Sequence, residues 1–280
     1  MYEGLVAVVT GGGSGIGRAL CVELAARGAK VAVVDLDHAT AQAVAIEVGE
    51  SARAYACDVA ERRQLETVSR EVVRDFGRIN LVFANAGVAI GAKVLDTDPR
   101  EFQWLFDVNV GGVFNTMQIF VPQLLAEVGK GSTARFVVTG SENSLGLPLT
   151  APLTAYTATK HAVLGLADGL RRDLADTGVG VSIFCPGIVA TRVWDARRAR
   201  QDRYGGSSSM PAEFAARAEE AVKAHGFAPD LTARLALDGV ERGEFLIVTD
   251  PRIREITNPR HQAIDAALDI CETGLARLSQ

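Results

Sequence analysis

Seven short apolar runs, separated by stretches of helical pattern, constrain this chain more than any other feature. They fall at 4–10, 30–35, 53–59, 79–87, 134–141, 179–187 and 244–249. Most are continuously apolar rather than alternating, as expected of strands covered on both faces. Between them lie amphipathic stretches such as 15–28 and 61–77. Strand–helix alternation of this kind predicts an α/β fold: one doubly wound parallel sheet of about seven strands with helices on both faces.

Two regions interrupt the rhythm. Residues 88–102 read as a loop opening onto a helix, with Pro99 near its first position. Residues 190–230 form a long insertion before the last strand and carry a GGSSS run at 205–209. An insertion at the carboxyl edge of a sheet reads as a helical lid over a ligand. With no fixed-period repeat and no linker, the simplest organisation is a single domain over 1–280. The insertion sits within it, and a C-terminal extension covers about 250–280.

Composition narrows the function classes. The chain has 280 residues, 48% hydrophobic and 22% charged, with a net charge of -5. That acidic balance argues against a nucleic-acid binder, which carries a basic excess. Cys21, Cys57, Cys185 and Cys271 are scattered, and none has a partner at metal-ligand spacing, so no metal site is expected. No apolar run approaches the roughly 18 residues of a membrane span, and no leader pattern opens the chain. The expectation is a cytoplasmic protein.

The first strand runs into TGGGSGIGRAL at 10–20. Gly11, Gly15 and Gly17 stand between a strand and a helix, where glycine lets the turn tighten and the backbone approach a pyrophosphate. The helix that follows offers unpaired N–H groups and its positive dipole end. In that context the loop predicts dinucleotide binding in a Rossmann-type domain. Asp35 ends the second strand, placed to accept a hydrogen bond from an adenosine ribose 2′-hydroxyl and to repel a 2′-phosphate. Asp37 is the alternative, and a helix N-cap is the plain structural reading of Asp35. No Arg or Lys precedes Arg18 in the loop or directly follows Asp35, which favours NAD over NADP. The GKGST at 129–133 is no phosphate loop, because its Lys130 is followed by Gly.

Tyr156 and Lys160 lie one helical turn apart, on one face. A phenol is a weak acid at neutral pH, and a neighbouring ammonium lowers its pKa. The spacing alone does not separate a proton-transfer pair from two neighbouring helix residues.

Taken together, TGGGSGIG at 10–17, Asp58-Val59, NAG at 85–87, Asn109, Ser141, Tyr156 with Lys160, and PGIVAT at 186–191 resemble the short-chain dehydrogenase/reductase family. The resemblance covers residues 4 to about 250. It implies that Tyr156 moves the proton on the substrate oxygen. Lys160 lowers the Tyr pKa and binds the nicotinamide ribose, Ser141 polarises the carbonyl, and Asn109 holds a water linked to the lysine. It further implies a cofactor site from Gly11, Ser14, Gly15, Ile16, Gly17, Asp35, Asp58, Val59, Asn85, Ala86, Gly87, Tyr156, Lys160, Pro186, Gly187, Val189 and Thr191. Asp58 falls near the adenine, Asn85 on the adenosine side, and Val189 and Thr191 beside the nicotinamide.

One departure is visible. Fourteen residues separate Ser141 from Tyr156, more than the family's dozen or so, while Ser144 leaves eleven. Strand register favours Ser141, and Ser144 stays open. Glu142 reads as solvated.

The substrate wall is expected from 88–94, 141–153 and 190–230, which supply Val88, Ile90, Leu145, Leu147, Leu149, Val193, Trp194, Phe214 and Phe227. These residues suit a bulky hydrophobic secondary alcohol or its ketone. The same residues are also what a lid needs to pack onto the domain. Arg192, Arg197, Arg198, Arg200 and Arg203 read as an anion site or as a solvated face paired with Asp195 and Asp202. The long insertion and tail are similar to a bacterial subgroup that includes dehydrogenases of lignin-type aryl ethers. Family members are commonly homotetramers or homodimers, which points to 101–128 and 155–176 as the interface. The competing functions are an idle NAD-binding sensor or scaffold, an epimerase-like relative and an NADP-linked 3-oxoacyl reductase.

Overall fold

In the computed structural model, residues 2–148, 152–208 and 212–278 are described. Seven strands form one parallel sheet in the order β3-β2-β1-β4-β5-β6-β7. They are β1 (Val6–Thr10), β2 (Lys30–Asp35), β3 (Ala52–Ala56), β4 (Leu81–Ala84), β5 (Arg135–Thr139), β6 (Gly180–Cys185) and β7 (Leu246–Val248). Each expected run meets one of them: β2 matches its run, β3 starts one residue before its run, and the other five lie inside theirs.

Helices α1 (Gly15–Ala26), α2 (His38–Val48) and α8 (Pro229–Glu241) cover one face. Helices α3 (Arg62–Phe76), α4 (Pro99–Phe106), α5 (Gly112–Gly129) and α6 (Thr154–Asp173) cover the other. The unbroken apolarity of β1 follows from this sandwich. Val6 and Val8 pack with Leu65, Phe120 and Val163, while Ala7 and Val9 pack with Leu20, Leu24 and Leu237. Pro99 opens α4 behind Asp98, whose carboxylate caps the Arg100 N–H at 2.8 Å.

The strand order reverses between β1 and β4. In doubly wound sheets that is where a cleft opens at the carboxyl edge. The loops after β1, β4, β5 and β6 all converge there.

The insertion after β6 holds two 3₁₀ segments, Val193–Ala199 and Asp202–Tyr204, and α7 (Ala212–His225). Its 3₁₀ segments do not stop at the substrate side, where a lid was expected. They run across to α4 and to the end of β3, drawn there by charge. Glu101 of α4 takes Arg197 at 2.5 and 2.9 Å and Arg200 at 2.6 Å, all three side chains largely buried. Arg197 and Arg200 therefore leave the solvated face, while Arg192, Arg198 and Arg203 stay partly exposed. Arg203 pairs with Asp58 and Glu61, and only Arg192 and Arg198 keep the expected partner, Asp195.

The tail becomes one helix, α9 (Arg254–Leu278), none of whose residues is buried. Among the described residues no helix is long and apolar enough to cross a membrane.

Candidate functional site

The glycine loop has no room for side chains. A Cβ on Gly17 would collide with the Gly11 carbonyl, and one on Gly13 would stand 2.9 Å from the Asp35 carboxylate. Gly11 and Gly15 take φ of 64° and 53°, the left-handed region that favours glycine. Ser14 precedes α1 in extended conformation and caps nothing with its side chain. The first-turn N–H groups of Gly15, Ile16 and Gly17 therefore face the cleft without a side-chain cap. This is the arrangement that receives a pyrophosphate.

Asp35 spans the loop and the next turn. One oxygen accepts from the Gly13 N–H at 2.9 Å and the other from the Asp37 N–H at 3.1 Å. Asp37, not Asp35, is the N-cap of α2, accepting from Ala39 at 2.9 Å. That removes the plain capping reading of Asp35 and occupies its alternative.

Behind the loop, Asn85 ties three strands. Its amide donates to the Thr10 and Gly11 carbonyls at 3.0 and 3.3 Å, and its oxygen accepts from Thr139 at 3.1 Å. The Ala86 N–H donates to the Thr10 hydroxyl at 3.1 Å. Gly87 follows, and a Cβ there would lie 3.3 Å from the Asn109 amide oxygen and 3.8 Å from the Lys160 ammonium.

Asn109 sits in a single π-helical turn, Asp107–Gly111, between α4 and α5. Its side chain donates to the Val88 carbonyl and the Thr159 hydroxyl at 2.9 and 3.0 Å, and accepts from the Val88 N–H at 2.8 Å. With every amide hydrogen spent, the side chain is a tie between β4 and α6.

Ser141 follows β5 after Gly140, and Tyr156 and Lys160 stand on the first turns of α6. The Tyr156 hydroxyl meets that of Ser141. Ser144 faces elsewhere: its oxygen accepts from the Ser141 N–H at 3.2 Å and meets the Cys185 thiol. Asn143, which the sequence reading passed over, holds the pair in place. It donates to Ser141 Oγ at 3.3 Å and accepts from the Thr157 hydroxyl at 2.7 Å. An amide two residues after Ser141 was the available signal, though nothing local marks it from a loop asparagine.

Electrostatics depart from expectation. Burial pushes the Tyr156 phenol up to about 12, against the lowering by its Ser141 hydrogen bond, and Glu142 raises it further. Lys160 stands beside the phenol. Its ammonium lies 5.8 Å from the Tyr156 ring centroid and donates to the Thr139 carbonyl at 2.9 Å. Burial holds Lys160 down to about 8. Glu142 is not solvated: it is half-buried, and burial with Asp250 nearby pushes it up to about 7.

The loop after β6 closes the site. Pro186 accepts from the Glu142 N–H at 2.8 Å, and a Cβ on Gly187 would collide with Asp250. Val189 pairs with Phe227, and Thr191 packs against Gly15, 3.1 Å from where its Cβ would be. Asp58 lies at the far end, buried, with Val59 packed against Gly112. Of the expected wall, Ile90 belongs to the core, Val88 and Leu145 pack on it, and Leu147 and Val193 are exposed. Leu149 and the Phe214 side chain fall outside the described residues.

The short chain dehydrogenase family model matches residues 5–202, over this glycine loop, this serine and this tyrosine–lysine pair. The chain belongs to the short-chain dehydrogenases. As a member it is an NAD(P)-dependent oxidoreductase acting on a small molecule. This dehydrogenase is 29% identical over 267 residues to the C alpha-dehydrogenase of Sphingobium sp. strain SYK-6, covering 94% of this chain and 86% of that one. It is 32% identical to the putative oxidoreductase SadH of Mycobacterium tuberculosis, over 88% and 86% of the two chains. Its fold superposes on a short-chain dehydrogenase/reductase of Burkholderia phymatum in complex with NAD, with a TM-score of 0.87 and 30% identity over 95% and 96% of the chains.

Proposed function

We propose that this dehydrogenase interconverts a bulky hydrophobic secondary alcohol and its ketone, using NAD, with Tyr156 as general acid/base. The observation that carries the reading is Tyr156 standing beside the buried Lys160, whose ammonium lies 5.8 Å from its ring, with Ser141 alongside at the cleft where the glycine loop ends. NAD rather than NADP is supported by Asp35, whose carboxylate is fixed by the Gly13 N–H at the end of β2. A 2′-phosphate would meet that charge.

The residues fit the cofactor. The uncapped first turn of α1 would take the pyrophosphate, with Gly11, Ser14, Gly15, Ile16 and Gly17 around it. Asp35 would take the ribose hydroxyl. Asp58, Val59, Asn85, Ala86 and Gly87 would line the adenosine side, and Lys160, Pro186, Gly187, Val189 and Thr191 the nicotinamide side. When bound, the nicotinamide accepts or returns the hydride.

Ser141 and Tyr156 would hold the substrate oxygen between their hydroxyls. A phenol pushed up toward 12 is protonated at neutral pH, the form that gives its proton to a ketone. Alcohol oxidation needs the opposite form, so its rate rises with pH while ketone reduction falls. Lys160, held near 8, supplies a cation beside Tyr156 below that pH. The half-exposed Leu147 and Val193 offer apolar surface at the mouth for the substrate body. The likeness to the C alpha-dehydrogenase supports an aryl alcohol among the candidates.

Assembly as a homodimer or homotetramer is supported by Phe102 and Phe114, each 45% exposed on α4 and α5. The decisive assay is NADH formation at 340 nm across aryl and steroidal secondary alcohols, with NADP in parallel. Turnover lost by about a thousandfold in Tyr156→Phe supports the reading. A variant with full turnover removes it, and tight NAD binding without turnover on any alcohol favours the sensor.

A further inference from the structure

We infer that Glu142 determines specificity: its carboxyl binds a second hydroxyl of the substrate, close along the chain to the carbon that reacts. The inference rests on the alcohol reading above and gives that hydrophobic substrate one polar handle.

Glu142 joins the two segments which that reading puts on either side of the reacting carbon. Ser141 precedes it, and its own N–H donates to the Pro186 carbonyl at 2.8 Å, at the head of the nicotinamide-side loop. The short turn Glu142–Ser144 is held firmly. The Ser141 hydroxyl caps it, accepting from the Asn143 N–H at 3.2 Å. Behind it the chain packs on the start of α9, where a Cβ on Gly146 would collide with the Ile256 carbonyl. The turn's other two side chains, Asn143 and Ser144, are buried and bonded to Ser141. Glu142 is the one of the three that stays partly open. Its charge is felt by the Tyr156 phenol, which sets the carboxyl at the reacting end of the cleft.

That carboxyl has no donor. The cation near it, Arg252, is already committed: its guanidinium grips both oxygens of Asp250 at 2.7–3.0 Å and donates to the His225 carbonyl at 2.8 Å. Among the described residues no hydrogen bond or ion pair reaches the Glu142 side chain. Half-burying a carboxyl without a donor is unfavourable. The same burial, with Asp250 adding to it, pushes the group up to about 7. A structural role would have brought a partner from the protein, as Asp250 has Arg252. A partly open acceptor on a fixed turn suits a partner brought by the ligand.

A hydroxyl fits better than an amine. It is donor and acceptor at once, so it meets the carboxyl in either protonation state, whereas an ammonium pairs only with the ionised one. Lys160 on one side and Arg252 on the other already supply the cations of this end. The apolar body of the substrate would lie on Leu147 and Val193 at the mouth.

The test compares kcat/KM with NAD for four benzylic phenylpropanols. One carries no further group, one a hydroxyl on the next carbon, one a hydroxyl on the terminal carbon, and one an amine on the terminal carbon. Wild-type enzyme should favour one of the two diols over the plain alcohol by at least about tenfold, the scale of one hydrogen bond to a charged acceptor. Glu142→Leu should bring that ratio to within about twofold of unity, whereas Glu142→Gln, whose amide oxygen still accepts, should keep about a third of it or more. A Glu142→Leu variant that keeps the wild-type ratio, or loses rate on every alcohol alike, overturns the assignment and leaves Glu142 as a support of the turn. Wild-type preference for the plain alcohol or for the amine also overturns it, while the alcohol reading stands. That wild-type comparison decides without a variant if Glu142→Leu does not fold. Wild-type enzyme that forms NADH from none of the four removes the alcohol reading, and the role of Glu142 with it.

Discussion

The two ends of the cleft are built differently. At the dinucleotide end, the loop 10–17 and Asp35 belong to one strand–helix–strand unit, and their contacts are short: Gly11 against Gly17, Gly13 against Asp35. At the substrate end, Ser141, Tyr156, Pro186 and Asp250 come from three loops and a helix, joined by Asn143, Asn109 and the insertion. The first end is rigid by steric exclusion, the second by a hydrogen-bond network. Steric exclusion fails all at once, whereas a network fails by degrees.

Gly17→Ala should therefore be the most damaging change. Its methyl would enter the Gly11 carbonyl, so the loop must open, costing about 1–3 kcal/mol of stability. NAD affinity should fall by about a hundredfold or more, two decades being about 2.8 kcal/mol. Thermal melting and NAD titration read both, and near-native affinity would break the contrast.

At the other end, Ser141→Ala should lower kcat about a hundredfold, the scale of one lost donor to a developing oxyanion. Ser144→Ala should lower it by less than about tenfold, because Ser144 supports Ser141 through one backbone hydrogen bond. Equal losses in steady-state assays would return Ser144 to candidacy.

Asp35→Ser probes whether the dinucleotide end discriminates by charge. The NAD-over-NADP ratio in kcat/KM should fall by about tenfold or more, since the carboxylate both binds the ribose and repels the phosphate. An unchanged ratio would mean that selectivity lies elsewhere in the cleft.

The smallest effect concerns Glu142, whose burial lifts it to about 7. The folded state then holds a proton that the unfolded chain releases near 4.3. Stability falls as pH rises from about 4.3 to 7, and that loss is complete above 7. Glu142→Gln should match wild type at pH 4 and exceed it by a few degrees at pH 8, at about 2–4 °C per kcal/mol. A Tm difference that does not change with pH would show that the carboxyl is well solvated.

What could be read from the sequence follows the same division. Seven apolar runs became seven strands because two-sided burial writes itself as continuous hydrophobicity, and the glycine loop was legible because only glycine fits its crowding. The Glu101 clamp was not legible. Its partners lie nearly a hundred residues away, and a run of arginines looks the same whether solvated or buried on a carboxylate. Asn143 was hidden for the same reason, being an ordinary loop asparagine until Thr157 and Ser141 close on it.

By itself the sequence determined the α/β sheet, its parallel winding and the dinucleotide loop, since each is encoded by the periodicity or bulk of neighbouring residues. Only the tertiary structure decided which serine faces Tyr156, that Glu142 is buried, and that the insertion crosses to Asp58. Those outcomes depend on charges and hydrogen bonds between residues far apart in the chain, and their strength is set by burial that no local pattern records.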